Sequence, residues 1–110
     1  MNNVNLIGAL TREPLSGADA SGRELCSMQI AVQRRGPRGE PEPGVIYVDV
    51  VAVGVQAQLC ADSLHGGMRI GVAGRLERRE WLAADGSRTM TWEVRAYQVD
   101  MLDVQVPLDG

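Results

Sequence analysis

The stretch Arg75–Val94, RLERREWLAADGSRTMTWEV, gathers Arg75, Arg78, Arg79, Arg88 and both tryptophans of the chain, Trp81 and Trp92, around one Asp-Gly pair. These residue types share a chemistry. An indole offers a flat apolar surface for stacking, and a guanidinium both stacks on rings and pairs with phosphate oxygens through its planar fork. A second cationic group, Arg34, Arg35 and Arg38, lies upstream. Charge runs are usually only solvated faces, but solvation alone does not explain why cations flank the one hairpin that carries both tryptophans.

Other chemistries find little material. His65 is the single histidine, and Cys26 and Cys60 stand 34 positions apart, a spacing that fits neither a disulfide framework nor a CxxC metal site. The expectation is two buried free thiols, no catalytic centre, no metal and no cofactor. The chain has 110 residues and a formal charge of −3, so net charge cannot draw it to an anionic partner; the distribution of charge must. All 11 basic residues are arginine. No apolar run approaches the roughly 18 residues of a membrane span, and the start MNNVNLIGAL has no signal-peptide pattern, which together suggest a cytoplasmic protein.

The elements that must position the hairpin follow from periodicity. NVNLIGAL puts Val4, Leu6 and Leu10 on one face and Asn3, Asn5 and Ile7 on the other, a half-buried first strand. EPLSGADASGRE reads as a turn-rich connector, and LCSMQIAVQ as a second strand with Cys26, Met28, Ile30 and Val32 on one face. RRGPRGEPEPG, with three prolines and three glycines, predicts a mobile loop that cannot continue a sheet. VIYVDVVAV is apolar on both faces and is expected to be covered on both. VQAQLCADSLHGG changes to helical spacing through Ala57, Cys60, Ala61 and Leu64, with Gly66 or Gly67 as its stop.

Two further alternating runs surround the Asp-Gly pair, with even-numbered residues from Met68 to Leu76, and Val94, facing inward. A two-residue Asp85-Gly86 turn would set Leu76 opposite Arg95 and mix apolar with charged side chains on each face. An odd-length loop or a bulge near Ala84–Ser87, with Gly86 in a left-handed conformation, is therefore expected.

Three strands, one short helix and a two-stranded hairpin give an all-β fold in the element order of a five-stranded Greek-key OB barrel, with the helix between strands three and four and an extended strand 4–5 hairpin. Small SH3-like barrels also read as serial strands. MNNVNLIGALTREP, SGRELCSMQIAVQRR, YVDVVAVGVQAQLCADSLHGGMRIGVAGRLERREW and DGSRTMTWEV resemble, in order and spacing, the core domain of the bacterial single-stranded DNA-binding proteins. The resemblance runs from Met1 to about Leu102. It implies an OB-fold domain over residues 1–104 with a short extension at 105–110, little sequence preference for the single strand bound, and a homotetramer.

Carried over residue by residue, the resemblance makes Trp81 and Tyr47 base-stacking platforms. Val53, Met28 and Gly36 stand where the family has aromatic residues, so three platforms are expected to be lost. Arg34, Arg35, Arg75, Arg78, Arg79 and Arg88 are the candidates for phosphate contacts, some of them paired internally, for example Arg79 or Arg78 with Glu93. Trp92 shares its parity with Met90 and Val94, which leaves core packing, bracing of the arm or contact with DNA open. Tyr47 shares a face with Val51 and Val53, so burial stands beside stacking. Asn3, Val4, Asn5, Leu6 and Ile7 resemble the edge along which two subunits pair, giving a dimer that pairs again into a tetramer, with an open dimer as the alternative.

The family's Gly/Pro/Gln-rich acidic tail has no counterpart after VQVPLDG, so partners recruited through a tail are not expected. The expected function is protection of single-stranded DNA in replication, recombination, repair or DNA uptake, in the cytoplasm with the nucleoid. The alternative is a protein-docking module of the replication-restart type that binds nucleic acid weakly.

Overall fold

The structure is a computed structural model that describes residues 1–103; the extension expected at 105–110 lies outside them. It contains β1 (Val4–Leu10), β2 (Leu15–Ala18), β3 (Glu24–Arg35), β4 (Pro41–Val53), α1 (Val55–Ser63), β5 (Arg69–Leu82) and β6 (Arg88–Met101). The sheet runs β1-β5-β6-β4-β3-β2 and closes where β1 also pairs with β3. β1, β3, β4, β5 and β6 form the closed OB-type barrel, β2 flanks it, and α1 connects the third and fourth barrel strands as the sequence suggests.

Alternation builds the core. Cys26, Met28 and Ile30 from β3, Val50 and Ala52 from β4, Ile70 and Val72 from β5, and Val94 from β6 form one cluster with Ala57, Cys60 and Leu64 from the helical segment. Both thiols are free and buried, and burial pushes the Cys60 thiol up to about 11, with a smaller push from Cys26. Such a thiol stays protonated and packs as a small hydrophobe.

Several expectations are corrected. The connector holds the strand β2, whose four residues are all exposed and so carry no apolar pattern. Backbone pairing to β3 and the Asp19 carboxylate, which accepts from Ser21 and Arg23 N–H, define it instead. The proline-rich stretch is not a mobile loop: β3 and β4 continue through it to a turn at Gly36–Glu40. Pro43 falls where the register shifts between Gln33 and Arg35, so its missing N–H interrupts no ladder bond. The β4 strand is covered on both faces only at Val50–Ala52; Val45, Ile46 and Tyr47 are exposed because this end runs beyond the barrel. The helix ends at Leu64, already extended, and Gly67 with φ +88° belongs to the following turn.

The hairpin register is the one that parity demands. Leu76 pairs with Val94 and Leu82 with Arg88, across an odd-length loop in which Gly86 N–H donates to Ala83 O at φ +88°. A left-handed position there costs a glycine nothing. The inward parity breaks at Leu76, which is exposed because β5 outruns the barrel.

Candidate nucleic-acid interface

The β1–β5 ladder ends at Val4–Gly74, and the Asn2 side chain seals it by donating to Leu76 O and accepting from Leu76 N–H, both at 2.8 Å. β4 meets β6 only at Val50–Val94 and Val51–Arg95. Beyond these points β5 and β6 project as a two-stranded arm, eight residues of β5 past Gly74 or roughly 26 Å at the rise of a strand.

The pairing decides which residues share a face. Val50 and Val94 both point into the core, so their neighbours Val51 and Arg95 lie on the outer face. Arg75 pairs with Arg95, Glu77 with Glu93, Arg79 with Thr91 and Trp81 with Thr89, all on that outer face. On β4 the same face carries Asp49 and Tyr47, the latter paired with Ala31. Trp81, Arg79, Arg75 and Tyr47 therefore belong to one continuous surface. Tyr47 is 64 % and Trp81 43 % exposed, which removes core burial for both.

The cations on this surface are organised by rings and carboxylates. Arg79 lies over the Trp81 ring at 5.1 Å and reaches the Glu93 carboxylate at 3.9 Å, the pairing the observed register selects. Arg75 lies over Tyr97 at 5.6 Å and bonds Glu77 at 2.7 Å. That bond to Glu77, and secondly the contact with Tyr97, hold the Arg75 guanidinium above its usual value. It is permanently charged. Glu93, buried and named from the sequence only as an arginine partner, and Tyr97, which the sequence reading did not assign, also lie on this surface; the signal was the odd parity they share with Trp81, interrupted at Tyr97 by the bulge opposite Ala73–Gly74.

The remaining candidates do not join this face. Arg78 pairs across the ladder with Trp92 and Arg88 with Leu82, on the opposite face of the arm. Trp92 is 58 % exposed, so it is not a core residue. Arg34 sits at the β3–β4 hairpin 3.8 Å from Glu42, and Arg35 donates to Gly39 O within the same turn. Met28 is buried in the barrel, so the lack of an aromatic there alters core packing and removes no platform. Of the expected oligomer edge, Val4 and Leu6 pack on the core, whereas Asn3, Asn5 and Ile7 are exposed. Since β1 meets β3 only at Ala9 and Leu10, the outer edge of its earlier residues borders an open groove of about 830 Å³ lined by Ile7, Val32 and Gln33.

A closed five-stranded barrel with a ring-bearing arm, whose outer face carries Arg75, Arg79 and Arg95 beside Glu77 and Glu93, agrees with the comparison to known proteins, in which residues 1–102 match the single-strand binding protein family. The chain belongs to that family. Among its relatives, the single-stranded DNA-binding protein 3 of Clostridium acetobutylicum is 35 % identical over 94 % of this chain and 72 % of its own length. The single-stranded DNA-binding protein of Clostridium tetani is 36 % identical over 94 % of this chain and 71 % of its own. A further family member, the single-stranded DNA-binding protein 1 of C. acetobutylicum, is 31 % identical over 96 % of both chains. Among the described residues no helix is long and apolar enough to cross a membrane.

Proposed function

We propose that this chain binds single-stranded DNA with little sequence specificity, stacking bases on Trp81 and Tyr47 and drawing the backbone along Arg75 and Arg79. The observation that carries the reading is the placement of two exposed rings on one continuous outer face, with arginines of the same parity beside Trp81. Each stacked base contributes about 1–3 kcal/mol irrespective of sequence. Arg78, Arg88 and Trp92 on the opposite face of the arm, and Arg34 and Arg35 at the β3–β4 turn, extend the contact for a strand that wraps past the arm.

In this reading the protein covers single strands exposed during replication, recombination, repair or uptake, in the cytoplasm with the nucleoid, without a catalytic step. The names of its relatives favour it over a protein-docking module. The free edge of β1, with Asn3, Asn5 and Ile7 exposed beside it, is the proposed seam between two subunits, leading to a tetramer or an open dimer.

The test is a titration with oligo-dT at two salt concentrations, following tryptophan emission in wild type and in Trp92→Phe, where Trp81 is the sole reporter. Quenching in both, with affinity falling steeply as salt rises, is expected. Absence of quenching and of binding at low salt would reject the reading.

A further inference from the structure

The outer face of the arm is cationic only in part. Arg75 and Arg95 stand directly opposite each other across the β5–β6 ladder, a like-charge pair that is destabilising unless neutralised. Glu77 neutralises it from between them: its Oε1 lies 2.7 Å from Arg75 Nε and its Oε2 3.1 Å from Arg95 Nε. One carboxylate thus spans two guanidinium groups, offering one oxygen to each, as a phosphate would at the same place. Arg95 Nε is buried and makes no well-aligned hydrogen bond, so its contact with Glu77 is an ion pair of imperfect geometry that leaves donors free for a better-placed anion.

The arrangement is specific to this carboxylate. Glu80 holds only Arg78, at 3.3 Å, and on the opposite face of the arm. Glu77, Arg75 and Arg95 each remain a third or more exposed, so an incoming anion has access to the seat.

We propose that Glu77 is a built-in competitor for the nucleic-acid backbone: its carboxylate occupies the place between Arg75 and Arg95 that a phosphate takes when a strand engages this face. The inference rests on the single-stranded DNA reading above. Binding at this seat exchanges one anion for another. It therefore releases fewer counterions than the number of arginines on the face suggests, and it keeps the affinity of the native protein below what those arginines would otherwise give.

The test compares three charge-neutralising variants by oligo-dT affinity across a salt series. Glu77→Gln frees two cations, Glu80→Gln frees one, and Asp62→Asn, exposed on α1, changes net charge equally but lies outside the arm. Glu77→Gln is expected to bind on the order of tenfold tighter at low salt, with a log-log salt slope steeper by about 0.7, the contribution of the one single-strand phosphate that takes the seat. Glu80→Gln, on the opposite face of the arm, should show a smaller change in slope, and Asp62→Asn little.

A Glu77→Gln protein that binds no tighter than Asp62→Asn, while wild type binds, overturns the competitor role and leaves the single-stranded DNA reading intact. A wild type that does not bind overturns both. Should the freed arginines repel enough to loosen the variant, inorganic phosphate supplies a second readout. It is expected to raise the melting temperature of Glu77→Gln and not that of wild type; equal responses in the two proteins overturn the proposal.

Discussion

Up to Gly74, β5 has β1 on one edge and β6 on the other, and its side chains Ile70 and Val72 are buried; past Gly74 the same strand keeps one neighbour, and Leu76, Trp81 and Leu82 are exposed. The change is abrupt. Within the barrel each alternate side chain removes apolar area from water, at about 25 cal/mol per Å², so identity is set by packing. On the arm this term is smaller, since Leu76 and Trp81 stay partly exposed, and a two-stranded ribbon alone is marginal. Turn geometry, Asn2 at its root and ion pairs hold it in place, and its side chains remain available to a ligand. The two regions should therefore respond oppositely to substitution: the barrel in stability, the arm in binding.

The largest effect is expected at the boundary itself. A Cβ on Gly74 would collide with the Arg95 carbonyl oxygen, inside the bulge where β6 carries one extra residue. The obstacle is backbone, which cannot rotate away. Gly74→Ala should destabilise the fold by about 3 kcal/mol or more, read as a lowered denaturant midpoint, and weaken DNA binding only as far as unfolding does. A variant within about 1 kcal/mol of wild type would show that barrel and arm do not depend on this close approach.

Next is Trp81→Ala, which should weaken oligo-dT binding by about 1–3 kcal/mol and leave the melting temperature nearly unchanged. Trp92→Ala, on the opposite face from Tyr47 and Trp81, should cost less affinity. If Trp92 proves the more damaging loss, or if either substitution unfolds the barrel, the separation of a binding arm from a structural barrel fails.

How far this division could be read from the chain depends on the kind of signal. Period-2 alternation in β1, β3, β5 and β6 was legible because burial on one face imposes it, and parity required an odd-length loop or a bulge around Gly86, of which the structure has the loop. β2 was not legible, because an exposed four-residue edge strand selects no side-chain pattern. The prolines between Arg35 and Gly44 misled because a proline forbids only the ladder bond that its own N–H would make. The faces of Trp81 and Trp92 followed from parity, but the exposure of Tyr47 and Trp92 did not, since alternation fixes a side and not how far the strand extends past the core. Glu77 escaped notice because its importance lies in the cross-strand pair of Arg75 with Arg95, which exists only once β5 and β6 are in register.

The smallest effect lies on the barrel side, far in sequence from the arm. The Glu13 carboxylate accepts from Gly66 N–H at 3.0 Å and lies 3.2 Å from His65 Nδ1, tying the β1–β2 connector to the turn after α1. The Gly66 N–H first, and the His65 side chain second, hold this carboxyl below its ordinary value of 4.5. A carboxylate depressed in the folded state binds protons less readily there than when unfolded. Its contribution is therefore complete above the unfolded value and is lost as pH falls through the folded one. Glu13 is fully exposed and solvent screens it, so the loss is slight. Wild type should lose slightly more melting temperature than Glu13→Gln as pH falls below about 4.5, since only wild type has this group to protonate. Oligo-dT affinity at neutral pH should be the same for both. Equal acid sensitivity would mean that the link contributes no stability, and altered DNA binding in Glu13→Gln would mean that the barrel's far end and the arm are coupled after all.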